Sequence, residues 1–87
     1  MAQYRFHSDP SHGWLAVPVA KLVALGIADK ISTFSYRNTR NVAFLEEDCD
    51  AAIFFAALKA NKETYKIIFM PTAIKDSRIR TFNSFYL

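Results

Sequence analysis

The 87-residue sequence is poor in the residues that staple or punctuate a chain, with one cysteine, two glycines and three prolines. A single cysteine excludes a disulfide within the chain. Two glycines, Gly13 and Gly26, do not make a glycine-rich phosphate loop. Long apolar runs are missing as well: Lys21, Asp29 and Lys59 interrupt the best candidates, so none reaches the ~18 residues of a membrane span. The opening "MAQYRFHSDP" has no apolar run of signal-peptide length. A soluble cytoplasmic protein is the expectation. The motifs HExxH, CxxC…CxxC and GxSxG are absent, as are the signatures of a helix-turn-helix, a zinc finger and an RNP strand.

Apolar residues are abundant, at 52% of the chain, and include eight Phe, four Tyr and one Trp. That composition belongs to a folded protein with an aromatic core. The length suits a single domain over residues 1–87. Such a small unit has only ~5 kcal/mol in hand, which leaves open a homodimer that shares aromatic surface. The net charge is +3, but half of the 8 acidic residues sit together at Glu46, Glu47, Asp48 and Asp50, against 11 lysines and arginines along the chain. A basic chain with one acidic spot has a field that can attract nucleic acid or an acidic protein patch.

Period-two alternation of Tyr4 and Phe6 with Arg5 and His7 predicts a strand over 2–7, and "WLAVP" a second over 14–17 after the turn-rich "SDPSHG". Pro18 and Gly26 bracket a short helix with Val19, Leu22, Val23 and Leu25 on its apolar stripe. "ISTFSYRN" and "NVAFLE" read as a hairpin over 31–36 and 42–46, with Arg37 and Arg40 at its tip. From Asp48 the spacing of Ile53, Phe54, Ala57 and Leu58 predicts a second helix, capped by Glu47 or Asp48 and closed by Lys59 and Lys62. "YKIIFM" at 65–70 is a further strand ended by Pro71. Residues 72–87 form a tail, read as a sixth strand or as an extended C-terminal arm. The expected fold is α+β: a small antiparallel or mixed sheet of about five strands, in the order β-β-α-β-β-α-β, with two helices packed on one face.

Few groups are spaced for catalysis. His7, Ser8, Asp9, Ser11 and His12 contain the parts of a Ser-His-Asp triad, but adjacent Ser8 and Asp9 have the spacing of turn and capping residues. His7 and His12 are metal ligands only if the sheet order brings them to the acidic group, and the expectation is no metal and no cofactor. Cys49 sits beside a helix N-terminus among carboxylates that disfavour a thiolate, so it reads as a small buried packing residue. No catalytic residue is assigned, and the chain is expected to be a non-enzymatic protein.

At "YRFHSDPSHGWLAVP", "LGIADKISTFSY" and "FLEEDCDAAIFFAA" the chain resembles a family of small phage- and plasmid-encoded proteins of unassigned activity, whose members carry "HSDPGHGWL" and "YLEEDCDA". The resemblance covers residues 4–58, departs at Phe44, where the family has Tyr, and leaves the tail beyond residue 62 outside the shared pattern. It implies an accessory role for a mobile element: inhibition of host defence by direct binding, as in anti-CRISPR-like proteins, or DNA maintenance. The expectation from residues and resemblance together is an interaction protein that blocks a host nuclease or effector complex. Glu46, Glu47, Asp48 and Asp50 would face a basic groove of that host protein or nucleoprotein complex. The alternative is a nucleic-acid-binding accessory protein that uses Arg37, Arg40, Lys75, Arg78, Arg80 and Phe82.

Overall fold

The computed structural model describes residues 1–75 and 77–86. Asp76 and Leu87, both within the tail expected over 72–87, lie outside the described residues. The elements are β1 (Ala2–Ser8), β2 (Gly13–Pro18), α1 (Val19–Ala24), β3 (Tyr36–Arg37), β4 (Val42–Glu46), α2 (Asp50–Ala60), β5 (Tyr65–Phe69) and β6 (Asn83–Ser84), with short 3-10 helices at Ala28–Lys30 and Arg78–Thr81. They form an α+β fold around one six-stranded mixed sheet of order β5-β1-β2-β4-β3-β6. The β1–β5 pair is parallel and the other pairs are antiparallel. No helix among the described residues is long and apolar enough to cross a membrane.

Alternation along the strands sorts side chains onto two faces. Leu15 and Val17 of β2 and Ala43 and Leu45 of β4 pack with Leu22 of α1 and with Phe54 and Leu58 of α2, all in one buried cluster. Their neighbours in sequence face the other way: Trp14 and Phe44 join Ile79 in a second cluster, with Tyr36 and Phe82 packed against it. The helices cover the first face, and the C-terminal arm lies across part of the second.

Local chemistry explains the two helices. Pro18 starts α1, which ends in paired backbone bonds from Gly26 N–H to Val23 C=O (3.0 Å) and from Ile27 N–H to Leu22 C=O (3.1 Å). This is a Schellman closure, and Gly26 takes the left-handed φ of 71° that it requires. Val23, expected on the apolar stripe, is exposed. Lys21 reaches Glu63 in the turn after α2, at 2.5 Å. The pairing holds the lysine above and the carboxyl below their ordinary pKa values. The N-terminus of α2 differs from expectation, since its N-cap is Cys49 and no side chain caps it there. Glu46 instead accepts the Cys49 N–H at 3.0 Å from one turn earlier, and neither Glu47 nor Asp48 supplies the cap.

The stretch 31–36 also departs from its expected form. Only Tyr36–Arg37 is strand, because the chain before it curls around a carboxylate. Ser32 N–H and Oγ donate to Asp50 Oδ2 at 3.1 and 2.7 Å, and Ser35 Oγ donates to the same oxygen. Phe34, which a strand over 31–36 would set on one face with Tyr36, is left 71% exposed. Ser35 also accepts the Glu46 N–H on its hydroxyl and the Phe85 N–H on its carbonyl. It thereby joins β4, α2 and the chain end.

Candidate functional site

Asp9 is the centre of the turn between β1 and β2. Its Oδ1 accepts the backbone N–H groups of Ser11 and His12 at 3.0 and 2.9 Å, the pattern of an Asx turn. Its Oδ2 accepts the Ser77 N–H at 2.9 Å and Arg80 Nε at 2.6 Å, while Arg80 NH2 reaches Oδ1 at 3.1 Å. The result is a two-pronged carboxylate–guanidinium pair with a fully enclosed Asp9 side chain. The Arg80 bond is the largest of the effects that hold the Asp9 carboxyl well below the usual carboxylate range. Arg80 also lies over the Trp14 ring, 5.5 Å from its centroid, and its NH2 meets His12 Nδ1 at 2.9 Å. A guanidinium only donates, so His12 Nδ1 accepts.

The acidic cluster divides into inward and outward halves. Asp50 is 1% exposed and accepts from Ser32 and Ser35. Glu46 is 9% exposed and accepts from Cys49 N–H. Glu47 and Asp48 are exposed, and so is Cys49, which corrects its expected burial. Glu46, Asp48 and Cys49 share a hollow of about 390 Å³ with His12, Trp14 and Arg80, so the two motif phrases of the sequence meet there. His7 lies elsewhere: it pairs with Trp14, which pairs with Glu46, two strands away. Among the described residues no group of three or more His, Cys, Asp or Glu side chains is placed to hold a metal ion.

The basic residues of the alternative set also divide. Arg37 donates to the Tyr86 carbonyl and to Asn41 Oδ1, both at 2.9 Å, and so fastens the chain end. Arg80 is engaged with Asp9, and Phe82 packs on Phe44 with ring centroids 5.2 Å apart. Arg40, Lys75 and Arg78 are exposed.

Lys75 and Arg78 lie on the rim of a larger feature, a groove of about 910 Å³ on the face of the sheet opposite the helices. Its floor is a row in register across four strands, Ile68, Arg5, Ala16 and Phe44, continued by Val42 and Met70. The arm closes one side with Ala73, Ile79 and Phe82. Arg5, Lys75 and Arg78 supply positive charge, and no carboxylate lines the groove among the described residues. His7 also lines it, beside Phe44; burial, and then the Arg5 charge, push its pKa below the ordinary histidine value. Sequence reasoning passed over Arg5 and His7 as groove residues. The signal was the alternation of β1, which sets both on the face that the helices leave open. No protein-family model matches the sequence, and comparison with curated proteins and with solved structures returns no match.

Proposed function

We propose that this chain is a non-enzymatic interaction protein whose binding surface is the groove on the open face of the sheet. Its partner is an acidic, apolar-faced segment of another protein. One observation carries the reading: an apolar floor of Ala16, Val42, Ile68 and Met70 has Arg5 within it and Lys75 and Arg78 on its rim, with no carboxylate among the described lining residues. Apolar contact gives such a surface its affinity, and rim charges set encounter rate and register. The two rings of the groove, Phe44 and Phe82, are packed on each other, which favours a protein segment over stacked bases. In the mobile-element setting that the resemblance implies, the partner belongs to a host defence nuclease or effector complex, and binding blocks it. Glu47 and Asp48, the outward half of the acidic cluster, are a second contact for that partner.

The test uses a labelled amphipathic helical peptide of Leu and Glu, read by fluorescence anisotropy. Its Leu/Lys counterpart and a single-stranded oligothymidylate are the controls. The Leu/Glu peptide is expected to bind, and the triple variant Arg5→Glu, Lys75→Glu, Arg78→Glu to lose at least about tenfold in affinity, with the salt dependence reduced. Equal binding of the Leu/Lys peptide, or tighter binding of the oligonucleotide, overturns the groove assignment. Expression in the host is expected to protect a restricted phage or plasmid, and the triple variant to lose that protection. No protection by the unaltered chain sinks the host-defence role.

A further inference from the structure

Independently of the groove, we propose that the free edge of β5 pairs with the β5 edge of a second copy of this chain, giving a two-fold dimer with one continuous sheet. β5 ends the sheet on one side, and among the described residues its only strand neighbour is β1. In a parallel pair, the N–H and C=O of any one residue point to the same side and successive residues alternate. Met70 N–H donates to Phe6 C=O at 2.9 Å, so Met70, Ile68 and Lys66 face β1. Tyr65, Ile67 and Phe69 therefore present their backbone groups to the outer edge.

That edge carries little of what protects natural edges. It contains no proline before Pro71, and its one charged residue is Lys66. Phe69 is 75% exposed and Tyr65 37%. Each is backed by a ring on its inner side, Phe69 by Phe6 at 5.8 Å and Tyr65 by Phe55 at 5.4 Å.

The strand is self-complementary about Ile67. Antiparallel pairing of two copies centred there sets Ile67 against its own copy and Tyr65 against Phe69 of the other chain. All three outward-facing residues then sit in hydrogen-bonded pairs. Each aromatic meets an aromatic, and Lys66 faces Ile68 rather than another lysine. The far side of the sheet ends in β6, which is two residues long and too short to propagate the pairing. With one long open edge per chain among the described residues, the contact is isologous and closes at two copies instead of growing a filament.

Sedimentation of the full chain gives the first reading: the expected mass is twice 9.9 kDa, and a monomer at about 100 µM overturns the proposal. Two variants then test the register. Tyr65→Lys with Phe69→Lys sets like charges across both outer pairs and is expected to give a monomer. Tyr65→Lys with Phe69→Glu sets opposite charges there and is expected to keep the dimer. If both variants behave alike, the register centred on Ile67 is wrong. Amide exchange on the unaltered chain removes any dependence on variant folding: the Tyr65, Ile67 and Phe69 amides are expected to exchange as slowly as those of Lys66 and Ile68. Fast exchange confined to the three outward amides overturns the proposal.

Discussion

The two faces of the sheet are made from alternate residues of the same strands, yet they are finished in opposite ways. Beneath the helices, Leu15, Val17, Ala43 and Leu45 are sealed under Leu22, Phe54 and Leu58, and the buried carboxylate of α2, Asp50, accepts three bonds from Ser32 and Ser35 on Oδ2. On the other face Trp14 and Phe44 lie under a short arm, which meets them through Ile79, Arg80 and Phe82, and Arg5 and His7 line an open groove beside them. The first face holds most of the apolar burial and the second the chemistry that can meet a partner. Their side chains interleave at single-residue spacing, so stability and recognition are separable by position even within one strand.

Truncating the covered face gives the largest expected break in this comparison. Phe54 is 0% exposed and meets the Tyr4 ring edge-on at 5.0 Å. Phe54→Ala is expected to cost ~3–5 kcal/mol in urea unfolding, a large part of the stability of so small a domain. Phe82→Ala, on the half-buried arm, should cost clearly less and weaken groove binding instead. Equal losses for the two variants would erase the distinction between the faces.

The clasp that fastens the arm comes next in size. Because the Asp9 carboxyl titrates below its ordinary value, its contribution to stability is complete above the unfolded carboxylate pKa. It declines progressively as pH falls below about 4, toward the lowered native value. Asp9→Asn is expected to flatten that acid dependence and to shift Trp14 emission at neutral pH, since Arg80 would no longer be held over the ring. An unchanged acid-unfolding profile counts against the clasp.

The smallest effect sharpens the open face itself. Folding favours neutral His7, so its contribution is complete above the ordinary pKa of 6.5 and declines as pH falls through that value. NMR titration is expected to place its midpoint below 6.5, with an upward move on Arg5→Gln or on binding of the Leu/Glu peptide. A midpoint that ignores both would remove His7 from the groove.

Much of this architecture was legible in the sequence, and the parts that were not share a cause. β1, β2, α1 with its glycine stop, α2 and β5 follow from local periodicity and capping chemistry, which neighbouring residues carry in full. Ser32 and Ser35 defeated the strand reading because the partner that bends them, Asp50, is 15 residues or more away. The acidic run divides for the same reason: Glu47 and Asp48 lie on the surface, while distant donors claim Asp50. The groove needed the strand order, because alternation says that Arg5 and His7 share a face but not that Ile68 and Phe44 lie beside them.

The Asp9 clasp also orders events in time. Asp9 waits 68 residues for Ser77 and 71 for Arg80, a long loop whose closure entropy must be met before the bond returns anything. The β1–β2 hairpin and the helices can assemble from nearer neighbours first, so the arm is expected to arrive as a latch on strands β1, β2 and β4 already paired. Until it closes, Trp14 and Phe44 face water, and a chain stalled at that stage offers its aromatic face to whatever it meets.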